Sequence, residues 1–164
     1  MALKRVLTPE LTLFRDARFP CRNGGGDAYR YRALIGAGGN LGDVRRRFRH
    51  LLSFLARDRR VRVLRTGPIL RNPPFGYLEQ GDFYNTVMEL STSMQPRPLL
   101  RYLLGVEKRF GRKRSFANAP RTLDLDILFF DGRVINKEDL QVPHPHWHER
   151  QSVVIPLSYL GVSR

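Results

Sequence analysis

Apolar and polar positions alternate from Tyr29 to Ile35, and the alternation returns from Val61 to Leu70 and from Phe83 to Leu90. An extended chain sends successive side chains to opposite faces, so three strands are expected there. In the third, Phe83, Asn85 and Val87 share one face and Tyr84, Thr86 and Met88 the other. Between the strands the period changes. Val44, Phe48, Leu51, Leu52 and Leu55 recur at helical spacing behind a capping residue, Asp43, and Leu99, Leu103, Val106 and Phe110 do so behind Pro98, a first-turn proline. Glu107 flanks the second helical stripe. A fourth strand follows, with Leu123, Leu125, Ile127 and Phe129 on one face and Asp124, Asp126, Leu128 and Phe130 on the other.

The punctuation between these elements is also specific. Gly36 to Asp43 predicts a glycine-rich turn from strand to helix, and it matches neither the phosphate-loop nor the dinucleotide pattern, which favours a structural turn. Gly67-Pro68 argues against a central sheet position beyond that point. Arg71 to Gly76 predicts a rigid loop, Asp131-Gly132 a hairpin turn into Arg133-Val134-Ile135, and Ser152 to Leu157 is a last apolar segment. Residues 29–164 are thereby expected to form a single domain. Residues 1–28 carry no sustained period and end in the flexible tract Asn23-Gly24-Gly25-Gly26-Asp27, so they are expected to be an extension preceding that domain. Within it, Leu11, Leu13 and Phe14 are the residues suited to packing on the domain or forming a short strand.

Composition adds limits. A chain of 164 residues with 41% hydrophobic residues, ten Phe and six Tyr can build its own core. Cys21 is the single cysteine, so no internal disulfide is expected, and no apolar run approaches the roughly 20 residues of a membrane span; a cytoplasmic protein without membrane contact is the expectation. The net charge of +14, from 29 Lys and Arg against 15 Asp and Glu, sets up a field attractive to polyanions. Most of the basic groups, Arg45 to Arg47 and Arg57 to Arg65 among them, fit solvated faces.

The candidate chemistry centres on Asp124 and Asp126. Same-face neighbours on a strand lie roughly 6.5–7 Å apart, close enough for both carboxylates to converge on one hard cation or bridge two. Arg121 precedes them, and the basic loop Arg112-Lys113-Arg114 lies upstream. Carboxylates that bind metal, placed beside cations, suit a polyphosphate. Phe83 beside Asn85 offers an aromatic plane next to an amide, which suits a flat heterocycle with hydrogen-bonding edges. His144, His146 and His148 alternate, yet no cysteine joins them and Pro143 and Pro145 interrupt regular geometry, so a histidine donating to phosphate fits better than structural zinc.

Five motifs in register carry a resemblance: Gly39-Asn40-Leu41-Gly42-Asp43, Asn72-Pro73-Pro74, Phe83 with Asn85, Pro120-Arg121-Thr122-Leu123-Asp124-Leu125-Asp126-Ile127, and Val142-Pro143-His144-Pro145 with Arg150. Over about residues 31 to 157 the chain resembles the 6-hydroxymethyl-7,8-dihydropterin pyrophosphokinases of folate biosynthesis. The resemblance implies an α+β fold, a ferredoxin-like antiparallel sheet with flanking helices. It implies ATP as co-substrate with two Mg2+ ions, transfer of the β,γ-pyrophosphate to the pterin hydroxymethyl group, and release of AMP. By motif, Asp124 and Asp126 hold the metals. Arg112, Arg114, Arg121, His144 and Arg150, with Glu107, form the ATP site, and Arg112 and Arg121 act in catalysis beside the two aspartates. Asn72, Pro73, Pro74, Phe75, Phe83 and Asn85 line the pterin pocket. A monomer acting on small molecules, with no nucleic-acid partner, is the default.

The chain also departs from the family pattern. Ser152 stands where a second stacking aromatic is common, so either Trp147 or a neighbouring loop substitutes for it or the pterin is bound more weakly. Ala117-Asn118 replaces an Arg-Trp pair in a loop about one residue shorter, which bears on the assignment of Arg112 and Arg114, and Gly39 replaces a serine. Two competing readings are a basic ferredoxin-like nucleic-acid-binding module, drawn from the charge, and a homologue that binds pterin and ATP without turning them over, drawn from Ser152. Against the first, no ribonucleoprotein signature is present, and the acidic pair would repel a phosphate backbone unless metal intervened.

Overall fold

A computed structural model describes residues 3–23 and 29–160; residues 24–27 of the glycine tract lie outside the described residues. The elements run β1 (Leu3–Val6), β2 (Thr12–Arg15), β3 (Cys21–Arg22), β4 (Tyr31–Gly39), α1 (Val44–Ala56), β5 (Val61–Thr66), β6 (Ile69–Asn72), β7 (Phe83–Thr92), α2 (Pro96–Arg109), β8 (Asp124–Phe130), β9 (Ile135–Asn136), β10 (Gln141–Val142) and α3 (Gln151–Leu160). One antiparallel sheet has the order β1-β2-β6-β7-β4-β8, with β5 also on β7 and β3 on β5. Its heart is the β4-α1-β5-β7-α2-β8 succession in the spatial order β5-β7-β4-β8. That arrangement is an α+β, ferredoxin-like one.

The two helical stripes find the same side of the sheet. Val44, Phe48, Leu51, Leu52 and Leu55 of α1 and Leu99, Leu103 and Val106 of α2 are buried against Ala33, Ile35, Ala37, Met88, Leu90, Leu123, Leu125 and Ile127. Each of the Val, Leu, Ile, Phe and Met side chains among them contributes on the order of 1.5–3 kcal/mol of burial free energy. Asp43 caps α1 by accepting from the Arg46 backbone N–H at 3.1 Å. The second helix begins at Pro96, two residues before the expected Pro98. Both prolines fit the first turn, because its N–H groups have no partner inside the helix.

The other side of the sheet carries α3. Val87, Leu128 and Leu160, with Leu34, Phe129, Val153 and Leu157, form one cluster there, and Leu11, Leu13 and Leu70, with Ile155 and Tyr159, form a second. Helix α3 covers only part of that face. At the far end of the same face, Asn72, Phe83, Asn85, Asp124 and Asp126 stand uncovered by helix.

Other expectations are corrected as well. The strand expected from Val61 to Leu70 divides at Gly67-Pro68 into β5 and β6, because the turn breaks the run. Gly36 to Gly39 continue β4 rather than turning, and the turn begins at Asn40, with Gly42 at φ +72°. A β-bulge shifts the β4-β8 register so that Ile35 faces Ile127 while Leu34 faces Phe129. Phe130, not Phe129, therefore returns to the main core, and Leu128 and Phe129 pack on the α3 side. Asp131-Gly132 does not open a hairpin on β8, because β9 pairs with β10 in a separate ribbon. Finally, β6 lies between β2 and β7 and is not at an edge. Residues N-terminal to position 29 supply its outer neighbour, and nothing local in residues 67–72 signals that.

Candidate active site

The site occupies the uncovered end of the α3-side sheet face, where β6, β7, β4 and β8 each present alternate residues. Asn72 stands opposite Phe83 in the β6-β7 pairing. Gly38 faces Asn85 on one side and Asp124 on the other, and Gly36 faces Val87 and Asp126. The floor between the amide of Asn85 and the carboxylates is thus glycine. A Cβ on Gly38 would collide with Asn85 Oδ1, and one on Gly39 would lie 2.5 Å from the Thr122 carbonyl oxygen. These two glycines permit close approach, which is why the strand tolerates them.

Asp124 is held by two arginines: Arg112 Nη1 donates to its Oδ1 at 3.0 Å and Arg121 Nη1 to its Oδ2 at 3.3 Å. Arg112 also donates to the Leu123 carbonyl at 2.9 Å, and Arg121 Nε to that of Ala119 at 2.9 Å. Glu107, from α2, is only 2% exposed. Its Oε2 accepts the Leu125 backbone N–H at 2.7 Å, its Oε1 accepts from Arg114 at 3.1 Å, and Arg112 lies 3.7 Å away. Burial raises the Glu107 carboxyl above its ordinary range against the pull of that backbone bond.

Burial, and then the carboxylates of Asp124 and Glu107, raise the Asp126 carboxyl from 3.8 to about 7, against the pull of Arg150 and Arg112. Three carboxylates close together leave Asp126 short of positive charge, a deficit that a hard cation would offset. Among the described residues, no group of three or more His, Cys, Asp or Glu side chains is arranged to enclose a metal. A two-carboxylate donor set fits Mg2+ all the same, since that ion is commonly held by one or two carboxylates with water and phosphate oxygens completing its shell. His144 lies on the far side, its backbone N–H donating to the Leu128 carbonyl at 2.8 Å and its buried Nδ1 without a partner among the described residues. Burial and the nearby Arg150 lower its pKa, so the ring favours the neutral form.

Two cavities meet at Arg121, the arginine that donates to Asp124. One, of about 390 Å³, is lined by residues 112–121 and so by Arg112, Arg114 and Arg121. The other, of about 370 Å³, brings together Asn72, Pro73, Pro74, Phe75, Phe83 and Asn85 with Arg121, Arg150 and Ser152. Arg121 belongs to both. Asn85 donates to Asn72 Oδ1 at 2.7 Å, which orients its amide. The Arg121 guanidinium lies 5.4 Å from the Phe83 ring centre, and that of Arg150 lies 5.6 Å from Phe75. Ser152 lies on the cavity wall. Trp147 does not replace the aromatic, since it packs edge-on against Phe129 at 5.1 Å. The aromatic that joins Phe83 in lining the pocket is Phe75.

A chain of amides joins the loops around both cavities, and no role for it was read from the sequence. Asn40 Oδ1 accepts the Arg121 backbone N–H at 2.9 Å, and its Nδ2 donates to Gln80 and to the Gly81 carbonyl. Gln80 in turn donates to the carbonyls of Tyr77 and Asn118. Tyr77 meets Phe116 edge-on at 5.1 Å. Only Asn40 lay within a recognised motif. Gln80 and Asn118 sit in loops, where no periodicity marks a residue.

An antiparallel α+β sheet with a carboxylate pair, a cavity of arginines and a neighbouring cavity of aromatic and amide groups has the chemistry of a class of protein suited to a polyphosphate beside a flat heterocycle. Comparison with known proteins narrows that class. The profile described as 7,8-dihydro-6-hydroxymethylpterin-pyrophosphokinase matches residues 34–161, and the chain belongs to that family. It is 44% identical over 133 residues to the 2-amino-4-hydroxy-6-hydroxymethyldihydropteridine pyrophosphokinase of Campylobacter jejuni, covering 81% of this chain and 85% of that protein. The corresponding figures are 39% over 129 residues for the enzyme of Helicobacter pylori, with 77% and 79% covered, and 38% over 126 residues for that of Bacillus subtilis, with 77% and 75% covered.

Proposed function

We propose that this protein transfers the β,γ-pyrophosphate of ATP to the hydroxymethyl group of 6-hydroxymethyl-7,8-dihydropterin in folate biosynthesis, releasing AMP. The observation that carries the reading at the level of residues is the placement of Asn85 and Asp124 on either side of Gly38. A heterocycle bonded to Asn85 and a polyphosphate at the aspartates would then meet over a floor without side chains. Proximity of that kind is the main contribution a protein can make to a phosphoryl-type transfer, which asks for alignment and charge neutralisation more than for covalent chemistry.

Asn85, oriented by Asn72, reads the hydrogen-bonding edge of the pterin, and Phe83 and Phe75 supply the apolar walls. Arg112, Arg114 and Arg121 bind the phosphates from the neighbouring cavity. Glu107 works from behind, fixing Arg112 and Arg114 and the β8 backbone, and His144 and Arg150 contribute from the opposite side. Asp124 and Asp126 would hold two Mg2+ ions, which supply neutralising charge at the phosphate oxygens when bound. No strong base is assigned, because in a loose transition state the proton of the attacking hydroxyl can leave late.

The test is substitution of the carboxylates. Asp124→Ala and Asp126→Ala should each lower turnover at least about 100-fold while leaving the circular dichroism spectrum unchanged, by loss of charge stabilisation. Full activity in either variant would refute the metal role.

A further inference from the structure

The strand pair β1-β2 precedes residue 34, where the family match begins, and so lies outside the matched region. It nevertheless reaches the pocket along two routes. Along the first, Thr12, Leu13 and Phe14 pair with Arg71, Leu70 and Ile69 of β6. Leu70, Arg71 and Asn72 pair in turn with Asn85, Tyr84 and Phe83 of β7. A single strand therefore separates β2 from the two β7 residues that face the heterocycle cavity. Thr12 is buried and its hydroxyl accepts from Arg71 at 3.3 Å, while Phe14 packs against Tyr84 at 5.9 Å beneath Arg45.

The second route crosses the sheet. Leu11 and Leu13 pack with Leu70 against Ile155 and Tyr159 of α3, and the Arg15 guanidinium lies 5.1 Å from the Tyr159 ring centre. The N-terminal end of the same helix, Gln151 and Ser152, forms the opposite wall of the cavity. Both walls thus lean on one small cluster, and the N-terminal segment supplies two of its three buried residues, Leu11 just before β2 and Leu13 within it. The carboxylates and arginines of β8 and its preceding loop lie at the far edge of the sheet, beyond β7 and β4.

We propose that the N-terminal strand pair β1-β2 is a positioning element for the heterocycle pocket, setting the distance between the β6-β7 wall and the α3 wall. It acts through Leu13 and Arg15 on Leu70 and Tyr159, touches no substrate, and leaves the polyphosphate end unaffected. The proposal rests on the assignment of the pterin to that cavity.

Steady-state kinetics of the full chain distinguish this role from a merely structural one. Leu13→Ala should raise KM for the hydroxymethyl dihydropterin roughly tenfold, since small misplacements at a binding site are costly, while kcat and KM for ATP stay within about twofold. Leu13→Ile should restore the wild-type KM. Arg15→Ala removes only an exposed contact on Tyr159, so it keeps the experiment readable if Leu13→Ala does not fold, and it should shift KM for the pterin in the same direction. An unchanged pterin KM in both alanine variants, or equal rises for pterin and ATP, would overturn the proposal. Asn85→Ala serves as the reference. If it raises the pterin KM and the β2 variants do not, the positioning role alone fails; if Asn85→Ala has no effect, the pocket assignment fails and takes the positioning role with it.

Discussion

Strand period fixes the positions of Asn85, Asp124 and Asp126, tertiary packing those of the loop and helix residues, and the chemistry of each is set by what lies opposite. Ser152 shows the consequence most directly. It lines the heterocycle cavity facing a pocket with Phe83 and Phe75 but no aromatic of its own. Ser152→Phe should tighten pterin binding about fivefold, the equivalent of about 1 kcal/mol for a stacked ring, as measured by calorimetric titration. An unaltered affinity would place that position outside the stacking geometry. Asp126 makes a second prediction, in pH. Its carboxyl ionises near 3.8 in the unfolded chain and near 7 in the folded one, so between those values the folded state holds the extra proton. The metal-free protein should accordingly lose stability as pH rises from about 4 to about 7. Below that window Asp126 is protonated in both states and adds nothing. Asp126→Asn should flatten the loss, and Mg2+ should raise the melting temperature of the wild type more at about pH 8 than at about pH 5, because the ion competes with the proton. Thermal unfolding across that range, with and without the ion, checks both.

At the scale of elements, the acidic strand was legible in the sequence up to Ile127 and illegible beyond it. The alternation of Leu123, Asp124, Leu125, Asp126 and Ile127 fixes two faces, whereas Leu128, Phe129 and Phe130 are all apolar and leave no contrast from which a bulge could be read. The glycines of β4 were misplaced for a related reason. Gly36 to Gly39 look like turn residues by composition, and only the approach of Asn85 and Thr122 explains why a strand needs them. The buried stripes of α1 and α2 were legible, since they are long and α1 carries a capping aspartate, while the ends of α2 were not: it starts at Pro96 and stops before Phe110. What the pattern could not show is the inward bend of Glu107. The sequence placed it beside the apolar stripe; in the fold it is a buried strut that accepts the Leu125 N–H and braces Arg112 and Arg114. Glu107→Ala should destabilise the protein by about 2–3 kcal/mol, because a backbone donor and Arg112 lose their buried partner, and should raise KM for ATP. Glu107→Gln, which keeps an acceptor for Leu125, should recover most of the stability and less of the ATP affinity. Chemical denaturation and ATP titration separate the two effects.

For the whole molecule, Asn72, Phe83, Asn85, Asp124 and Asp126 occupy one half of one sheet face, and α3 closes the other half. Residues 3–23 belong to this arrangement as three strands of the same sheet, a placement that a segment without sustained period did not reveal. Leu11, Leu13 and Phe14, read as residues suited to packing, are indeed buried. What decides the assignment is which bond of ATP the assembled site breaks. Purified protein given MgATP and 6-hydroxymethyl-7,8-dihydropterin should form AMP in equal amount to the pterin diphosphate, resolved by ion-exchange chromatography of the quenched reaction. Formation of ADP with a pterin monophosphate would contradict it.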